Sequence, residues 1–139
     1  HKLTLKKFVK LINQIDNKPL INKNTVDLFF RGNNNNYLVE IKSINKNNVR
    51  SQIRSAIIQL LEYEYFHKNI EKNLLFNDQR NIAKIIVLNE NPLNFSNEEI
   101  VYLYNNLCLS QKIVLTFFNK SNLLKLDKNI KSIKMNFDE

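Results

Sequence analysis

VDLFFRGNNNNYLVEIKS, residues Val26 to Ser43, is two β-rich runs on either side of the chain's single glycine, Gly32, which four asparagines follow. Gly and Asn accept the positive φ angles of tight reversals, so a hairpin is predicted, with strands near Thr25–Arg31 and Tyr37–Ser43. Three charges interrupt these runs: Asp27, Glu40 and Lys42. Alternation along a strand puts Glu40 and Lys42 on one face of Leu38-Val39-Glu40-Ile41-Lys42. Charge in an apolar strand is costly to desolvate unless it is paired or metal-bound, which makes the three residues site candidates. A four-residue loop, Gly32 to Asn35, sets Asp27 directly opposite Glu40 on the same face. A five-residue loop would shift the pairing by one and need a bulge.

Two converging carboxylates suit a hard divalent cation such as Mg²⁺, which is held by one or two carboxylates together with water and substrate phosphate. Lys42 then stands where an ammonium stabilises phosphate charge or helps activate the attacking water. The plainer alternative makes Asp27 a surface residue near a turn, and Glu40 and Lys42 an ion pair on a wet strand face. Downstream, VRSQIRSAIIQLLEYEY predicts a long helix from about Val49 to His67, with Asn47-Asn48 as caps. Its apolar stripe is Ile53, Ile57, Leu60 and Leu61, with Ala56 at the edge. Gln52, Gln59, Tyr63 and Phe66 share an adjoining face, so Gln59 and Tyr63 point together near the core boundary.

Asp27, a gap of twelve residues, then Glu40-Ile41-Lys42 resembles the PD-(D/E)xK nuclease superfamily, the restriction-endonuclease-like fold. Gln59-Leu60-Leu61-Glu62-Tyr63 is similar to the QxxxY element of one branch of that superfamily. Arg54, Ala56, Gln59, Leu60, Leu61 and Tyr63 also match an Arg-x-Ala-x-x-Gln-Leu-Leu-x-Tyr string of many bacterial nuclease domains. The resemblance implies an αβββαβ core, Asp27 and Glu40 as metal ligands, and Lys42 as the catalytic lysine. It places Gln59 and Tyr63 in support, near the metal, Lys42 or the substrate backbone. It further implies Mg²⁺, with Mn²⁺ as a substitute, and hydrolysis of nucleic-acid phosphodiesters, with DNA ahead of RNA. An RNA- or tRNA-cutting effector and a binding module that does not cut are the alternatives. The chain departs from the pattern twice. Val26 stands where a proline often precedes the aspartate, and no glutamate precedes Glu40 on the first helix; Asn13, Gln14 and Asp16 are the polar residues nearest that role.

At 139 residues the chain has the length of one domain with its own core, residues 1–139. Its net charge of +8 points to an anionic partner, although abundant Lys, Asn and Ile also suit an AT-rich coding sequence. Arginine is scarce, and two of the four, Arg50 and Arg54, flank the start of the long helix, which suits phosphate contact. Cys108 is alone, which excludes a disulfide or zinc framework and reads as a buried thiol between leucines. His1 and His67 have no companion at ligand spacing. No apolar run approaches a membrane span, and four lysines among the first ten residues do not suit a signal peptide. A cytoplasmic protein is expected, either a homodimer or a piece of a larger multidomain protein that begins at His1 after trimming.

The remainder fills in an α/β plan. Leu5, Phe8, Val9, Ile12 and Ile15 recur at helical spacing, with Thr4 as cap and an end near Asp16-Asn17. Leu20-Ile21 begins a short strand. After an irregular stretch around Asn77–Asn81, Ile82–Leu88 reads as a buried strand that Asn91-Pro92 breaks. Ser96-Asn97-Glu98-Glu99 starts a helix carrying Ile100, Leu103, Tyr104 and Leu107, and Lys112–Phe118 is a further strand. The tail from Ser121 has no decisive period and fits a short helix or strand. The order α-β-β-β-α-β-α-β predicts a mixed central β-sheet flanked by helices, with a parallel crossover between the last two strands.

Overall fold

A computed structural model describes residues 1–16, 18–21, 27–65, 81–95 and 97–137. Seven strands form one mixed sheet in chain order: β1 (Leu20–Ile21), β2 (Leu28–Arg31), β3 (Asn35–Lys42), β4 (Asn81–Leu88), β5 (Ile113–Asn119), β6 (Asn122–Leu126) and β7 (Ser132–Lys134). Helix α1 (Lys2–Ile12) precedes them, α2 (Val49–Tyr65) lies between β3 and β4, and α3 (Asn97–Leu103) lies between β4 and β5. The three central strands β3, β4 and β5 run parallel, and the outer pairings are antiparallel. The predicted class and the parallel unit around α3 are therefore present. The tail adds the antiparallel strands β6 and β7.

Both faces of the sheet are covered, which explains why β4 and β5 are, between their ends, apolar on both faces apart from Lys84 and Thr116. Phe8 and Ile12 of α1 pack on one face with Tyr37, Val39, Ile41, Ile85 and Val87. On the other, Ile53, Ala56, Leu60 and Tyr63 of α2 pack with Phe29, Leu38 and Ile86. Alternation from Leu38 places Glu40 and Lys42 on this α2 side, and alternation from Phe29 places Asp27 there too.

Several local expectations are corrected. Thr4 does not cap α1 but is buried within it, because the His1 C=O already accepts from the Leu5 N–H at 2.9 Å. The helix ends at Ile12, whose C=O accepts from both Ile15 and Asp16 in a closing turn, and Ile15 stays partly exposed. Gly32 does not supply a positive φ, nor do Asn33 to Asn36; among the described residues the left-handed positions are Lys112, Lys120 and Ile130, at φ 56°, 58° and 62°. Instead the hairpin closes through the Gly32 N–H to the Asn35 C=O at 2.8 Å.

The cap of α2 is a reciprocal pair set two residues earlier than expected. Asn45 Oδ1 accepts from the Asn48 N–H at 3.0 Å, and Asn48 Oδ1 accepts from the Asn45 N–H at 2.7 Å. Ala56 and Tyr63 belong to the core itself, whereas Leu61 is only partly buried. After α3 the chain widens into a π turn, Tyr104–Cys108, in which the Leu109 N–H reaches the Tyr104 C=O five residues back. Expectations on Asn17, Thr25, Val26, Phe66, His67, Ser96 and the stretch 77–80 lie outside the described residues.

Candidate active site

Register builds the site. Leu28 pairs with Val39 and Arg31 with Asn36, so one step past the end of β2 sets Asp27 opposite Glu40. At this step side chains replace the backbone ladder. The Asp27 N–H donates to Glu40 Oε1 at 3.2 Å, and the Ile41 N–H donates to Asp27 Oδ2 at 2.8 Å. The two carboxylates therefore converge where β3 nears its carboxyl end, the end at which open α/β sheets bind ligands. Lys42, one pleat further on, brings its Nζ to 3.9 Å from Glu40 Oε2.

Burial gives this trio its chemistry. Glu40 is 1% exposed, and its pKa is raised from 4.5 to about 8. Desolvation is the largest cause and the charge on Asp27 the second; the Lys42 ammonium and the Asp27 N–H oppose them, and side-chain contact with Asp27 adds to the rise. The lysine at 3.9 Å therefore leaves the pair of acids under-compensated. The donor set, two oxygen ligands short of positive charge, fits a hard cation. Among the described residues no group of three or more His, Cys, Asp or Glu side chains is placed to hold a metal ion.

The structure also brings in residues that the sequence did not single out. His1 Nε2 stands 3.2 Å from Asp27 Oδ2. The Asn89 side chain clasps Ile44, accepting from its N–H at 2.7 Å and donating to its C=O at 3.3 Å, while Gln52 Nε2 donates to the Ser43 C=O at 3.3 Å. The segment after Lys42 is thus held from β4 and from α2. Asn89 was findable as the first polar residue beyond the carboxyl end of a parallel strand. His1 was not, since no local pattern links it to Asp27.

The remaining site candidates sit further out. Lys84 pairs with Glu64 at 3.1 Å, and Lys84 stands opposite Leu38 in the sheet, so the end of α2 is level with Leu38. Gln59, five residues or about 7.5 Å back along α2, comes about level with Glu40. It is half-buried and accepts from Ser55 Oγ at 3.4 Å. Tyr63 is wholly buried in the α2-side core. Arg50 and Arg54 face α3, lining a groove of about 450 Å³ with Glu98, Glu99 and Tyr102, and Arg50 Nη1 lies 3.9 Å from Glu99 Oε1. Cys108 is buried and its thiol is pushed up to about 12, as an inert packing residue should be. No helix among the described residues is long and apolar enough to cross a membrane.

Comparisons with protein-family models, with curated proteins and with solved structures each found no match.

Proposed function

We propose that this chain is a Mg²⁺-dependent nuclease that hydrolyses DNA phosphodiester bonds as an endonuclease. The observation that carries the reading is the meeting of Asp27 and Glu40 in a buried, charge-deficient pair with Lys42 alongside. Asp27 and Glu40 would hold the cation, with water and a substrate phosphate completing its shell; bound there, it supplies charge that polarises a phosphate oxygen and acidifies water. Lys42 neutralises charge developing on the phosphoryl oxygens, and its 16% side-chain exposure leaves the ammonium reachable. His1 steadies Asp27. The element order α1-β1-β2-β3-α2-β4 is the one that the resemblance to the restriction-endonuclease-like fold implies.

The test is incubation with supercoiled plasmid, single-stranded DNA and total RNA, each with Mg²⁺, Mn²⁺ or EDTA. Nicking and linearisation of plasmid with either metal, and none in EDTA, is expected. Digestion of RNA alone would replace the substrate. Tight binding without cleavage under every metal would replace the enzyme with a nucleic-acid-binding module.

A further inference from the structure

A second feature lies around the same end of the sheet, on the face that α1 covers, opposite the α2 side that carries the acid pair. Because β3, β4 and β5 are parallel, the turn after β5 emerges where Lys42 does, two strand positions or about 10 Å to the side. There Lys120 meets Lys7 and Lys10 of α1 across a groove of about 500 Å³ floored by Leu11 and Phe118. Lys7 is held in place: its Nζ lies 5.5 Å from the Phe118 ring centroid and donates to the Lys120 C=O at 3.4 Å. Three cations converge from two distant segments, and among the described residues no acid lines the groove. The arginine groove is the opposite case, since two acids share it with Arg50 and Arg54.

A polar cleft adjoins the lysine groove and extends to Asn89, whose side chain holds the backbone of Ile44, two residues beyond Lys42. Asn89, which clasps Ile44 beside the site, lines a cleft of about 420 Å³ with Asn91, Asn94, Asn119, Glu90 and Lys120. Lys120 lines both hollows. From His1, at Asp27, Lys7 and Lys10 lie about 9 and 14 Å along the axis of α1. That span corresponds to about three or four phosphates of one duplex strand.

We propose that the phosphate backbone of DNA runs from the acid pair across the asparagine-lined cleft into the Lys7/Lys10/Lys120 groove, which is its principal electrostatic anchor. The identity of the polyanion rests on the nuclease reading; the groove's affinity for it does not. The test is fluorescence anisotropy of a labelled 30-base-pair duplex in EDTA, titrated across salt concentrations. It compares wild type, Lys7→Gln/Lys10→Gln/Lys120→Gln, the matching triple arginine variant and Arg50→Ala/Arg54→Ala.

The triple glutamine variant should flatten the slope of log affinity against log salt by about 2 to 3 and weaken binding alike for unrelated sequences. The arginine triple should keep the wild-type slope, and Arg50→Ala/Arg54→Ala should change it by less than 1. Should the glutamine triple fail to fold, Lys10→Gln alone, on an exposed residue, should flatten the slope by about 1. Superimposed salt titrations would overturn the proposal, as would a loss confined to binding of phosphatidylserine vesicles. A changed slope in a protein that cuts nothing would sink the nuclease reading alone; active cleavage with unchanged slopes would sink the groove alone.

Discussion

Glu40 is where the account is most exposed to measurement. Its folded pKa of about 8 lies above the ordinary 4.5, so the folded protein keeps a proton that the unfolded chain releases. That contribution to stability is complete below about pH 4.5 and is lost as pH rises through about 8. A shift of this size is worth on the order of a few kcal/mol. Without metal, Glu40→Gln should therefore flatten the fall of Tm between pH 5 and 8 and melt above wild type at pH 8. Mg²⁺ at pH 8 should raise the wild-type Tm and leave that of Glu40→Gln nearly unmoved, because a ligand bound only by the folded state stabilises it. Parallel pH profiles in thermal melts would show that Glu40 does not carry this strain. Lys42 was legible in the sequence by pleat period alone; the imidazole of His1 beside Asp27 was not, because contacts between distant segments leave no local periodicity.

Two elements hold the acid pair, and they were legible to different degrees. The hairpin register followed from parity: Asp27 faces Glu40 without a bulge when the reversal is centred between Asn33 and Asn34, and the pairing of Leu28 with Val39 agrees. The turn chemistry was misread, since neither Gly32 nor the asparagines adopt a positive φ. The start of α2 shows a related limit. Asn45, Asn47 and Asn48 can all cap a helix; in the structure the Asn45–Asn48 pair does so, directly after Ile44, which Asn89 clasps. Asn45→Ala should cost about 1 kcal/mol in urea unfolding, the usual loss for a cap, with an unchanged m value. A loss below about 0.3 kcal/mol would mean that tertiary packing alone fixes the start of α2.

At the scale of the molecule, the residues of the proposed site gather toward one end of the sheet. The carboxyl ends of β3, β4 and β5 carry Lys42, Asn89 and the turn at Lys120. The class of fold was legible because buried parallel strands alternate with amphipathic helices, whereas the last two strands were not, since β6 is short and half-wet and β7 is short and exposed. The charge excess was legible in composition, but its placement was not: spacing drew attention to Arg50 and Arg54, while folding gathers Lys7, Lys10 and Lys120 in a groove that no acid among the described residues lines. The measurement that bears most directly on the central claim is the Mg²⁺-dependent cleavage rate of Lys42→Met protein beside wild type, with thermal melts of both. Loss of an ammonium that acts on developing phosphoryl charge should lower the rate about 10²- to 10³-fold while the variant stays folded. A folded Lys42→Met protein that cuts at the wild-type rate, or a wild type that cuts no nucleic acid with any divalent metal, would contradict the account.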